Sequence, residues 1–292
     1  MRRLPELGRR YGRSQDRPGP PDYIGVGAEG SGTTWWHSLL LAHPEIRAPR
    51  ERALDFFGTF CDREMQPADI SRYNEHFPRR DGAIGGEWTD RYMADGWVPP
   101  LLRRVAPDAR LLIMLRDPIE CYRASYAQRS AYRVPGDRLS MTDAADRRSY
   151  ASQLARLQRF FDPDRILVLQ YERCRADPLG QYRRTLRFLG VRDDFVPSWL
   201  RSPSGRAQAL AVAGVRRLPL AEPVRRRALA RLTGPAAPAA DAAALWPDLE
   251  AALLTTFSPE VERLLELVPE LELSLWPGFT RTAAPPAPAQ PT

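Results

Sequence analysis

The 292-residue chain is 43% hydrophobic and carries a formal net charge of +7, enough apolar content for one large α/β domain or two small ones. Every basic residue is arginine, since no lysine occurs; the excess favours anionic ligands, but beside the heavy use of Ala and Pro it is partly compositional bias and no argument for nucleic acid. Cys61, Cys121 and Cys174 form no CxxC pair, which argues against a zinc site or disulfide framework and for a reducing, cytoplasmic setting, and no run is long enough to span a bilayer.

Residues 1–21 are basic but have no apolar h-region, so a disordered leader is expected there and not a secretory signal. The domain is expected over 22–280. Its apolar, β-prone runs are Asp22–Ala28, a shorter Ala83–Glu87, Ala109–Arg116 and Arg165–Tyr171. They are largely continuous where a half-exposed strand would alternate, as in strands buried on both faces of a parallel sheet. Helical patterns cover Thr34–Ala42, Pro118–Arg129 and Pro178–Leu189, and the two prolines suit a first helical turn. A further amphipathic run, Ala144–Phe161, places Tyr150, Leu154, Leu157 and Phe161 on one stripe. The repeated βα order predicts an α/β fold with a central parallel sheet flanked by helices. Residues 202–241, rich in Arg, Ala and Pro, read as a flexible loop or cap, and 281–292 as a disordered Pro/Ala tail.

The first strand runs into "GAEGSGTT", Gly27 to Thr34. The spacing is that of a phosphate loop, with Thr33 where lysine would stand. Three glycines in these eight residues, with Gly25 just before them, let backbone N–H groups approach an anion, and the helix behind them adds a partial positive charge. A nucleotide kinase would need the lysine and a carboxylate to organise magnesium; here the strand ending at Leu115 gives Arg116 instead. A guanidinium grips phosphate through two parallel hydrogen bonds, so two separate anion-binding features stand at strand ends.

"GSGTTWW" with "LLLAHPEI", followed by "LLIMLRDPIECYRASY", "GEWTDRY", "ILVLQYERCRADPLGQYRRTLRFLGV" and "LELSLWPGF", resembles the sulfotransferase family over roughly Tyr23–Phe279, as a bacterial-type member. The resemblance implies a single P-loop nucleoside-kinase-like domain and 3′-phosphoadenosine 5′-phosphosulfate as sulfuryl donor and co-substrate, with no metal required. It assigns Gly30, Ser31, Gly32, Thr33 and Thr34 to the 5′ end of the donor and Arg116 to its 3′-phosphate, with Trp35 a candidate to stack on the adenine or to fill the core and Ser125 a candidate beside Arg116. The acceptor would be a hydroxyl or amine on a small molecule or carbohydrate, with no nucleic acid and no membrane span involved.

The chain departs from the family at three positions. The loop cation falls on Gly30, the glutamate of the Lys-Glu-x-His-Phe-Phe pattern falls on Ala53, and the 3′-phosphate serine falls on Ala124, with Ser125 next to it. Arg50, Arg52 and Arg91 are candidate replacement cations. Asp55, Glu51 and Glu87, in that order, are candidates for the general base, with His37 behind them. Asp55 and Glu51 share a face only if their segment is helical. The alternatives to a sulfotransferase are a kinase-like P-loop enzyme and a non-catalytic phosphonucleotide-binding protein.

Overall fold

The computed structural model describes residues 17–51, 54–79, 82–124, 146–197, 200 and 240–280. The expected leader up to residue 16, the 202–241 cap up to residue 239, the tail and Ser125 lie outside these residues; the end of the expected leader is ordered, with Arg17–Pro18 in a strand.

Five parallel strands form the central sheet in the order β3-β5-β2-β6-β7. These are β2 (Tyr23–Gly27), β3 (Ile46–Arg47), β5 (Ile84–Trp88), β6 (Arg110–Leu115) and β7 (Ile166–Gln170). A two-residue antiparallel pair, β1 (Arg17–Pro18) with β4 (Pro78–Arg79), stands apart. The four strands expected from apolar runs are all present, each within two residues of the expected bounds. β3 is too short to carry a sequence pattern.

Hydrophobic clusters lie on both faces of the sheet, which is why its strands read as continuous apolar runs. One face packs Ile24, Val26, Leu111 and Ile113 against Tyr150, Leu154 and Phe257. The other packs Tyr23, Leu112 and Met114 against Trp36, Leu40, Tyr182 and Leu186. Helix α1 (Thr33–Leu40) follows β2 directly. The helix Pro178–Leu189 has the expected bounds; Asp177 caps it by accepting from the Gly180 N–H at 2.9 Å, and Gly190 ends it with φ 74°.

Two helices differ from expectation. Among the described residues the amphipathic run is helical over 146–148 and Tyr150–Gln158, because Ser149 adopts φ −74°, ψ 61° and breaks the helix from the single turn before it. The expected stripe is buried throughout, with Tyr150, Leu154, Leu157 and Phe161 each at most 2% exposed. Against it packs a 28-residue helix, Ala240–Leu267, with Pro247 and Pro259 inside it. The two prolines and the alanine-rich start concealed this helix in the sequence. Its buried Leu253, Phe257, Val261 and Leu264 follow i, i+4, i+8, i+11 spacing. Glu260 ties the pair together, accepting from the Ser152 N–H at 3.0 Å and its hydroxyl at 2.5 Å.

Candidate functional site

Beyond Gly27 the chain turns through residues 28–32 into α1. Gly30 and Gly32 have φ of 81° and 87°, the left-handed region that favours glycine. A Cβ on Gly32 would also lie 2.6 Å from the Tyr171 ring. Gly32 is the N-cap of α1 and provides no side-chain cap, so the first-turn N–H groups lack the usual side-chain acceptor and suit an anion. Thr34 is exposed and Thr33 is buried. Ser31 is fully buried, with its Oγ 3.8 Å from Cys121 Sγ beneath the loop. Its hydroxyl therefore faces inward, unlike the role expected of it.

The register of the sheet brings Arg116 to the same end. Gly27 pairs with Ile113, three residues before Arg116, and Leu115 pairs with Gln170, so Tyr171 follows alongside Arg116. The Arg116 guanidinium lies 5.0 Å from the centre of the Tyr171 ring. Trp35 meets the same ring edge-on at 6.2 Å, while its neighbour Trp36 is buried and donates to Thr185 Oγ1 at 3.2 Å. Trp35, Tyr171 and Arg116 thus form one wall beside the loop. Tyr171 was missed from the sequence; its signal was its place just past the carboxyl end of a parallel strand, where ligands of open α/β sheets bind.

The turn carrying Arg116 is rigidly held. Asp117 Oδ1 accepts from the N–H groups of Ile119 and Glu120 at 2.8 and 3.3 Å, capping the helical residues 118–124. Glu172 accepts from the Asp117 N–H and from Trp276 Nε1, each at 3.0 Å. Burial raises the Asp117 carboxyl to about 6 and pushes Glu172 up as well.

The base candidates separate clearly. Residues 54–55 are irregular and a 3₁₀ helix follows over Phe56–Phe60, so Glu51 and Asp55 share no helical face. Glu51 is exposed. Asp55 has φ 38°, a strained backbone for a non-glycine residue. Its Oδ1 is buried without a hydrogen bond, and its Oδ2 lies 3.6 Å from Arg91 Nη1. Burial pushes its carboxyl up, against the pull of Arg91. Phe56–Phe57 anchor the segment: the Phe56 N–H donates to Tyr92 Oη at 2.9 Å, and Trp97 Nε1 donates to the Phe57 carbonyl at 3.1 Å.

Glu87 is buried and saturated. It accepts from the hydroxyls of Tyr73, Thr89 and Tyr92 at 2.6, 2.7 and 3.3 Å, and burial raises its carboxyl to about 7. That geometry supports the loop carrying Asp55 and leaves no face towards a ligand. His37 bonds to Tyr23 Oη at 3.2 Å, and its ring lies 6.1 Å from that of Trp88; it is held against the sheet, not beside Asp55. His43 is structural, bonded to the Arg192 carbonyl and the Glu45 N–H.

Of the replacement cations, Arg50 is exposed and Arg52 lies outside the described residues. Arg91 binds Asp95 at 2.9 Å and reaches Asp55. Arg147, not singled out from the sequence, pairs directly with Glu29 of the loop. No group of three metal-ligating side chains occurs among the described residues, and no helix there is long and apolar enough to cross a membrane.

A model of the sulfotransferase family matches residues 96–194, the stretch that carries β6, Arg116, β7 and Tyr171. Heparan sulfate glucosamine 3-O-sulfotransferase 6 of Mus musculus is 28% identical over 187 residues, covering 59% of this chain and 53% of that protein. Heparan sulfate glucosamine 3-O-sulfotransferase 3B1 of Homo sapiens is 25% identical, covering 59% of this chain and 46% of that protein. The chain spans about half the length of the curated relatives it matches. In fold it is similar to a sulfotransferase from Alicyclobacillus acidocaldarius, at a TM-score of 0.51 and 22% identity, covering 73% of this chain and 94% of the other. The Arg116 strand lies within the matched stretch and the glycine loop precedes it, and the chain is similar to members of the sulfotransferase family in sequence and in fold.

Proposed function

We propose that the protein is an enzyme that transfers a sulfuryl group from 3′-phosphoadenosine 5′-phosphosulfate to a hydroxyl or amine of a small-molecule or carbohydrate acceptor. The observation that carries the reading is the pairing of two anion-holding features at the ends of adjacent strands, the left-handed glycine loop after β2 and Arg116 after β6. The donor has two separate anionic groups, one for the loop and one for Arg116. The names of the curated relatives favour a carbohydrate acceptor.

When bound, the donor supplies a sulfuryl group whose bond to the 5′-phosphate breaks, the electron pair leaving with adenosine 3′,5′-bisphosphate as the acceptor oxygen or nitrogen bonds to sulfur. The N–H groups of the loop and of Thr33 and Thr34 hold the 5′ end. Arg116 holds the 3′-phosphate, steadied by the Asp117 cap and the Tyr171 ring. Asp55, whose side chain is partly exposed, takes the acceptor's proton, a role that a raised carboxyl performs well near neutral pH. The free thiols of Cys61, Cys121 and Cys174 fit a reducing, cytoplasmic setting.

The test is transfer of labelled sulfate from the donor to a panel of mono- and oligosaccharides and phenols, with and without Asp55. Transfer by the wild type and its loss in Asp55→Asn are expected. Binding of ATP with magnesium, with no binding of adenosine 3′,5′-bisphosphate, would move the protein to the kinase-like alternative.

A further inference from the structure

The loop from Gly27 to Thr34 holds one charged side chain, and it is the carboxylate of Glu29. An anion entering the cradle therefore meets negative charge and no cation from the loop itself. We propose that Arg147, reaching in from the turn at 146–148, supplies the positive charge that the phosphate loop lacks, with Glu29 as its positioning residue. This rests on the reading of the loop as the cradle for the donor's 5′ end.

Arg147 Nη1 pairs with Glu29 Oε2 across 118 residues of sequence. Their side chains are 43% and 53% exposed, so the pair is open to an incoming ligand. It borders a small pocket shared with Ala28, Asp90, Arg91 and Gln153, so Arg147 and the loop residue Ala28 line one concavity. The other arginines nearby have different commitments. Arg91 is held by Asp95 and Asp55. Arg123 is held by Glu120 and Glu250. Arg148 is buried, its guanidinium 5.9 Å from the Tyr122 ring. Arg147 alone among the described arginines has an ion-pair partner within the loop.

The turn that presents Arg147 is anchored. Gln153 Nε2 donates to the Asp146 carbonyl at 2.6 Å, and the helix behind it is bound to Glu260 through Ser152. An exposed ion pair contributes little to stability, so Arg147 exchanges Glu29 for a phosphate oxygen at small cost. Charge-assisted bonds to an oxyanion are among the stronger polar contacts.

The experiment compares two probes by calorimetry, adenosine 3′,5′-bisphosphate and adenosine 3′-monophosphate, which lacks the group held by the loop. Arg147→Ala should weaken the bisphosphate about tenfold to a hundredfold and leave the monophosphate within about twofold. Arg147→Lys should recover most of the loss. The double variant Glu29→Gln/Arg147→Ala should lose less than Arg147→Ala alone, because the single variant leaves the Glu29 carboxylate facing the anion unpaired. Equal weakening of both probes would assign Arg147 a structural role and overturn the proposal, as would bisphosphate binding within twofold of wild type. A wild-type protein that binds neither probe overturns the reading of the loop itself, a result distinct from the other two.

Discussion

Glu87→Gln tests how the framework beneath the candidate site is held. In the folded chain three hydroxyls point at the Glu87 carboxylate, and Tyr92, one of the three, also receives the Phe56 N–H that fixes Asp55. Burial still outweighs those bonds and raises the carboxyl from 4.5 to about 7. At about 1.4 kcal/mol for each tenfold change, this is worth about 3 kcal/mol between the protonated and ionised forms. The folded chain therefore holds the Glu87 proton more tightly than the unfolded chain. Its contribution is full below about pH 4.5 and is lost as pH rises through 7. Glutamine keeps the shape and cannot ionise; its carbonyl accepts from Tyr73 and Tyr92, and its amide donates to Thr89. Urea denaturation at pH 4.5 and pH 8.5 gives the free energy of each protein at both ends. Wild type should lose about 3 kcal/mol more than Glu87→Gln over that interval. Asp117 and Glu172 titrate in both proteins and cancel in the difference. Equal losses in the two proteins would show that Glu87 is not a buried, proton-retaining carboxyl.

Arg116→Ala should weaken adenosine 3′,5′-bisphosphate about tenfold to a hundredfold in calorimetry, since a charged hydrogen bond contributes roughly 1.5–3 kcal/mol; a change within twofold would remove Arg116 from the site. Asp55→Ala should lower sulfuryl transfer about 10²- to 10⁴-fold at unchanged bisphosphate affinity, whereas Glu51→Ala should stay within about threefold, and equal rates for the two variants would deny Asp55 the role of base. Gly30→Lys places a side chain at φ 81°, costing about 1–2 kcal/mol of stability by thermal unfolding; it should give no faster turnover if Arg147 already supplies the charge, and a clear acceleration would argue that no residue does. Phe257→Ala should cost about 3–5 kcal/mol in urea, because Phe257 is fully buried in the core where the long helix packs on Tyr150–Gln158; a loss under 1 kcal/mol would contradict that packing.

The sheet was legible because strands buried on both faces must be apolar throughout, and β2, β6 and β7 are. The loop was legible because a left-handed turn at Gly30 and Gly32 demands glycine. Arg116 stood out as a cation at a strand end, where apolar residues stop. What stayed hidden depends on packing between distant segments. Tyr171 gains its meaning from a register across β6 and β7, and Arg147 from a contact with Glu29 that no local pattern announces. The Ala240–Leu267 helix was obscured by Pro247 and Pro259, which local propensity counts against a helix but the buried stripe from Leu253 to Leu264 tolerates. Glu87, third among the base candidates, is a structural carboxylate because three hydroxyls occupy it, a packing that no local pattern announces. His37 sat at the right distance along α1 for the site, yet the helix turns it towards Tyr23.

The central claim is that this loop and Arg116 together hold a nucleotide phosphorylated at both the 3′ and 5′ positions. Calorimetric titration with adenosine 3′,5′-bisphosphate and adenosine 5′-monophosphate, each without metal, measures it directly. The account predicts that the bisphosphate binds at least about tenfold more tightly than the monophosphate in wild type, and that the difference collapses in Arg116→Ala. Equal affinity of the wild type for the two nucleotides would contradict it.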